Sequence, residues 1–148
     1  VKMKHILILL FISFFALSDH HELSTKYSEC KGKVANYYVA ELTENGSVEG
    51  WYKAAKMHQK YYSDRGAKAK VYPSMQYQID EERNTNDDLY RVSTLVVWDS
   101  QEAWAEFRTY LDNRSAGQIE KDDQEYNAFV ELYNKNNRVT AQRRLCML

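Results

Sequence analysis

Leu89–Trp98 reads LYRVSTLVVW and runs straight into Asp99-Ser100-Gln101-Glu102-Ala103-Trp104. The first segment is rich in β-branched and aromatic side chains and is flanked by polar ones, the pattern of a strand. Asp99, with Glu102 three positions on, then reads as the N-cap of a capping box. Ala103, Trp104, Phe107 and Leu111 follow at helical spacing, so a helix is expected there. Alternate residues of the strand separate Tyr90, Val92, Val96 and Trp98 from Leu89, Leu95 and Val97. Both sets are apolar, so both faces of this strand are expected to be covered.

Upstream, Val34–Leu42 (VANYYVAEL) is a second strand, closed by the turn cluster Thr43-Glu44-Asn45-Gly46. Ser47 can cap the helix that follows. Val48, Trp51, Tyr52, Ala55, His58, Gln59 and Tyr62 share one face of it, while Lys53, Lys56, Lys60 and Asp64 share the other, and Gly66 marks its end. Ala67–Ile79 alternates as a strand, with Pro73 indicating an edge position or a bulge. Asp80–Asp88 is a polar hairpin connection. Downstream, Asp112–Gly117 breaks the second helix. Ile119–Tyr133 forms a third, with Tyr126, Phe129, Val130 and Tyr133 as its stripe, and Arg138–Leu148 is a final strand. The order is βαββαβ with one extra helix in the C-terminal half. The expected class is α+β, ferredoxin-like, with one antiparallel sheet and helices on a single face. The second apolar face of that sheet calls for a second copy of the chain, so a homodimer is expected.

The N-terminus reads as an export signal over residues 1–18. Lys2 and Lys4 precede the apolar run Ile6–Leu17, which is shorter than the ~20 residues of a membrane span. Ala16 and Ser18 suit cleavage before Asp19, and an uncleaved anchor is the alternative. Residues 19–33 are polar and read as a flexible arm, and 34–148 as the folded domain. Without Lys2 and Lys4, 18 basic residues face 21 acidic ones, with no basic block of the kind nucleic acid requires. No second apolar stretch is long enough to cross a bilayer, so the mature chain is expected to be secreted or periplasmic and free of the membrane. Cys30 and Cys146 form either a disulfide or two free thiols. The ferredoxin-like order favours the bridge, because the last strand runs beside the first and brings the two together.

His58 lies at the middle of an apolar helix face, where it can serve as a general base or as a hydrogen-bonded core histidine. Trp51 and the tyrosines Tyr38, Tyr62 and Tyr90, with Tyr37 and Tyr52, can line a cavity for a flat organic molecule or simply fill the core. In Asp19-His20-His21, cleavage after Ser18 would make His21 the third residue. Its ring nitrogen, the free amine and two deprotonated amides would form a square-planar set for Cu(II) or Ni(II). The alternative is a solvated arm. No Gly-rich phosphate loop, serine elbow or Cys-x-x-Cys motif is present. Asn45-Gly46-Ser47 and Asn113-Arg114-Ser115 match glycosylation acceptors.

Val96-Val97-Trp98-Asp99-Ser100-Gln101-Glu102-Ala103-Trp104 resembles the strand-to-helix passage of the dimeric α/β-barrel superfamily. That superfamily includes antibiotic biosynthesis and haem-degrading monooxygenases. The resemblance implies dimerisation through the sheets and a ligand bound between helices and sheet. It also implies oxygenase chemistry on an aromatic or quinol-type molecule without a cofactor, although many relatives in that superfamily have no known activity. It places Trp98 at the position of a ligand-contacting aromatic. The chain departs from the haem-degrading members in having no His between Gln101 and Asn127. Ala40 stands where they carry Asn on the first strand, and Asn36 lies four residues away. Three readings follow: a small-ligand-binding protein, a cofactor-independent monooxygenase using His58 and Trp98, and an interaction domain with a filled core.

Overall fold

A computed structural model describes residues 23–148. The expected signal segment and His21 lie outside the described residues. The elements are β1 (Lys33–Leu42), α1 (Val48–Ser63), β2 (Ala69–Ile79), β3 (Thr85–Trp98), α2 (Gln101–Asp112), α3 (Ala116–Asn136) and β4 (Asn137–Met147), preceded by a 3-10 turn at Tyr27–Glu29. The strands form one sheet in the order β2-β3-β1-β4, with each neighbouring pair antiparallel. This is the ferredoxin-like α+β arrangement, and it puts the apolar strands β1 and β3 at the centre. Pro73 falls on the edge strand β2, where a missing N–H does least harm.

Register decides which side chains meet. Val34 opposes Trp98 on one side and Cys146 on the other, and Ala40 opposes Val92 and Val139. Paired residues share a face, so Trp98, Val96 and Val92 lie with Val34 and Ala40 beneath the helices. All five are almost wholly buried. The alternation predicted for β3 fails at one point. The β2–β3 register shifts between Gln76 and Tyr77, so that Gln76 pairs with Arg91 and Tyr77 with Leu89. The extra residue is Tyr90. A bulge of this kind exchanges the faces of the residues beyond it. Leu89 therefore packs in the helix-side core against Trp51 and Val92, while Tyr90 is 48% exposed.

Three boundaries also depart from expectation. The N-cap of α2 is Ser100, whose Oγ accepts from Ala103 N, and not Asp99. Asp99 still belongs to the sheet end, where its N–H donates to Lys68 O. The polar connection is shorter than Asp80–Asp88, because Asp80 Oδ1 accepts from Asn84 N at 2.7 Å and lets β3 start at Thr85. Helix α3 begins at a true capping box, Ser115 with Gln118, and runs on to Asn136. The buried face of α1 is also rotated from the expected one. Tyr61 is buried and Tyr52 is exposed, because α3 and α2 meet the helix on the Tyr61 side.

Residues 23–33 carry the 3-10 turn, and Cys30 is joined to Cys146 by a disulfide with Cα atoms 5.7 Å apart. Where α1, α2 and α3 converge, Arg65 bonds Asp122 at 2.6 Å and Glu125 at 2.8 Å, and Tyr110 and Arg114 reach the other oxygen of Asp122. The face of the sheet away from the helices carries Val97, Ala35 and Leu145 in one row, Tyr72, Leu95 and Tyr37 in the next, and Ser93, Val39 and Ala141 in a third. Lys70, Arg143, Arg91, Glu41 and Arg138 border it.

Candidate functional site

Helix α1 lies beside α3 on the same face of the sheet. Ser47 Oγ accepts from Gly50 N and starts α1, while Asn136, the last residue of α3, takes the Ser47 N–H on its Oδ1 at 3.0 Å. Thr43 N–H donates to Asn136 O as well, so the β1–α1 turn is clipped to the end of α3. These bonds fix the distance between the helices at one end. At the other end, the Arg65–Asp122 pair does so.

Between these two fastenings is a cavity of about 250 Å³. Helix α1 contributes Trp51, His58 and Tyr62, and α3 contributes Tyr126, Phe129, Val130, Tyr133 and Asn134. The sheet forms its floor with Tyr38, Ala40, Thr94, Asn137 and Val139. His58 stacks on Phe129 with ring centroids 4.4 Å apart, and its Nδ1 lies 3.5 Å from the Tyr133 hydroxyl. Burial pushes the imidazole down to about 4, so His58 is neutral at neutral pH. Burial likewise holds the phenols of Tyr62, Tyr133 and Tyr38 above the ordinary tyrosine value, which keeps them as hydroxyls. The site is therefore uncharged, largely aromatic, and provided with a few polar atoms.

No family model matches the chain. No curated protein does either. Among solved structures, the chain is similar to a dimeric protein of unknown function and ferredoxin-like fold from Bacteroides fragilis NCTC 9343, with 8% identity and a TM-score of 0.43, over 79% of this chain and 98% of that one.

The cavity brings together four of the residues singled out in the sequence: Trp51, His58, Tyr62 and Tyr38. Trp98 stands behind Tyr62, ring centroids 5.1 Å apart, and faces a separate crevice of about 180 Å³ beside Trp104 and Arg144. Tyr90 does not line the cavity; the β3 bulge turns it to solvent. The α3 residues of the wall were visible as an apolar stripe, but nothing in that stripe told which helix it would face. Asn137 and Thr94 carried no signal in the sequence. Among the described residues there is no group of three His, Cys, Asp or Glu side chains placed to hold a metal.

Proposed function

We propose that this chain is an exported protein that binds a small, partly aromatic molecule in the cavity between α1, α3 and the sheet, and does so as a homodimer. The observation that carries the reading is the cavity itself. It has aromatic walls and a few fixed polar groups, the usual composition of a small-molecule site. The dimer is supported by the sheet face opposite the helices, where Leu95, Tyr37 and Val39 make an apolar centre bordered by charge. That is the anatomy of a subunit interface, and it agrees with the resemblance to dimeric α/β-barrel proteins. Export is supported by the Cys30–Cys146 bridge, which an oxidising compartment maintains. No helix among the described residues is long and apolar enough to cross a membrane.

Binding is favoured over oxygenase chemistry by the state of His58. A general base works best with a pKa near the working pH, and burial moves His58 well below that. Trp98, the other candidate for catalysis, does not share the cavity with it.

Native mass spectrometry of the mature protein tests both parts together. A mass of two chains with a co-purified small molecule is expected. Val130→Trp, which fills the cavity from α3, should retain the dimer and lose the molecule. A single-chain mass at micromolar concentration counts against the dimer. A molecule retained by Val130→Trp counts against the cavity.

A further inference from the structure

The crevice of about 180 Å³ beside α2 has a different chemistry from the cavity and shares no lining residue with it. Trp98, at the end of β3, and Trp104, on α2, supply indole walls, and Tyr27 adds a third ring from the segment before β1. That segment is held in place, because Gln101 donates to Tyr27 O and the Cys30–Cys146 bond ties it to β4. Two polar side chains enter from the sheet. Asn36 on β1 pairs with Arg144 on β4, and Asn36 also pairs with Val96, so both lie on the helix side with Trp98. Arg65, Arg91, Arg114 and Arg138 each hold a carboxylate, whereas Arg144 holds none among the described residues. Its guanidinium carbon instead lies 5.7 Å from the centre of the Trp104 ring, and that of Arg108 lies 5.3 Å from the same centre. No Asp or Glu lines the crevice. A guanidinium packed on a ring keeps its N–H fork for another partner, and that fork matches a carboxylate.

We propose that this crevice is a second binding site, which takes a small carboxylic acid of one aromatic ring, with its carboxylate on Arg144 and Asn36 and its ring against Trp104. The sign of the ligand follows from a lining with one guanidinium and no acidic side chain, with the Arg108 charge close by. The carboxylate follows from the planar fork of Arg144, beside which the Asn36 amide supplies a neutral donor. A phosphate carries a further charge and a third oxygen, which these two groups leave unmatched. The single ring follows from the aromatic walls and from a volume well under the roughly 300–1,000 Å³ of pockets for larger molecules. The proposal stands apart from the reading of the cavity, whose lining contains no Asp, Glu, Lys or Arg.

The test is calorimetric titration of the full mature protein, disulfide intact, at pH 7.5 with benzoate and with its neutral analogue benzamide. Saturable binding of benzoate is expected, about tenfold tighter than that of benzamide and weakened by added salt. Arg144 is exposed, so Arg144→Gln should fold and should bind benzoate no better than benzamide. Ala105→Trp, at an exposed position of the lining, should fill the crevice and abolish benzoate binding. Val130→Trp, which fills the cavity, should leave benzoate binding unchanged. Absence of saturable benzoate binding overturns the site, and equal affinities for the two probes overturn its preference for an anion. Full benzoate affinity in either Arg144→Gln or Ala105→Trp overturns the placement in the crevice. Loss of benzoate in Val130→Trp, with circular dichroism unchanged, assigns the acid to the cavity and also overturns the proposal, whereas failure of benzoate to bind leaves the cavity reading standing.

Discussion

The imidazole of His58 lies flat against the ring of Phe129, with planes 12° from parallel. The contact joins α1 to α3 at the wall of the cavity, and the burial it brings disfavours the charged imidazole. The consequence is a dependence of stability on pH. Burial puts the folded value at about 4, against an ordinary 6.5. As pH falls, the unfolded chain takes up the proton first, so the stability owed to neutral His58 is complete above about pH 6.5 and is lost as pH falls toward 4. The loss should reach up to about 3 kcal/mol at about 1.4 kcal/mol per pKa unit. Urea midpoints measured between pH 7.5 and 4.5 should fall for the native sequence and stay nearly flat for His58→Phe.

Asp122 accepts hydrogen bonds from Arg65 and Tyr110 in a site where both charged side chains are almost inaccessible. Burial opposes the carboxylate, but those bonds, the charge of Arg65 and a further hydrogen bond from Arg114 outweigh it and hold its pKa below the ordinary value. Its contribution is present above about pH 3.9, the free aspartate value, and is lost as pH falls below that. Asp122→Ala leaves the buried Arg65 guanidinium with Glu125 as its one remaining carboxylate partner, and should cost about 3–5 kcal/mol by chemical denaturation. A cost under 1 kcal/mol would show that water reaches Arg65.

Gly50 sits in the first turn of α1 with Asn136 pressed against it. A Cβ there would lie 2.1 Å from Asn136 Oδ1. Gly-to-Ala changes inside a helix ordinarily stabilise by up to about 1 kcal/mol. Here Gly50→Ala should lower the melting temperature instead, because Asn136 must leave the Ser47 N–H and the clip between the β1–α1 turn and α3 opens. A raised melting temperature would contradict this placement of Asn136.

The bond between Cys30 and Cys146 closes a separation of 116 residues and ties the segment before β1 to the end of β4. Constraining the unfolded chain with a disulfide typically contributes about 2–4 kcal/mol. Cys30→Ser with Cys146→Ser should lower stability by that amount. Adding a reductant should change the unfolding of the native sequence and leave the double variant unaffected.

Leu95 is at the centre of the helix-free face of the sheet, between Tyr72 on β2 and Tyr37 on β1. Leu95→Glu places a charge in the middle of the expected subunit contact. Light scattering should report one chain for the variant and two for the native sequence, with unchanged circular dichroism. Identical masses for both would remove this face as the interface.

Local patterns in the chain accounted for much of the architecture. The β-branched and aromatic runs at Val34–Leu42 and Leu89–Trp98, the cap at Ser47 and the spacing of Trp51, Ala55 and His58 depend on near neighbours, and each formed the element they indicated. Position relative to solvent was less legible. Tyr52 and Tyr61 are both aromatic residues on α1, and only the docking of α2 and α3 makes the second a core residue and the first a surface one. The cap of α2 fell on Ser100 because a backbone bond to Lys68, on the approach to β2, kept Asp99 in the sheet.

The amino-acid order by itself determined the strands, the helices, the α+β class and the apolar character of both faces of β3, since periodicity and capping are interactions between residues a few positions apart. The tertiary structure alone decided that Leu89 turns inward while Tyr90 turns out, that Trp98 is screened from the cavity by Tyr62, and that Asn137 is left without a partner beside a satisfied Asn136. Each of these depends on strand register and on which helix lies against which, and those are set by contacts between segments tens of residues apart, where no short pattern can record them.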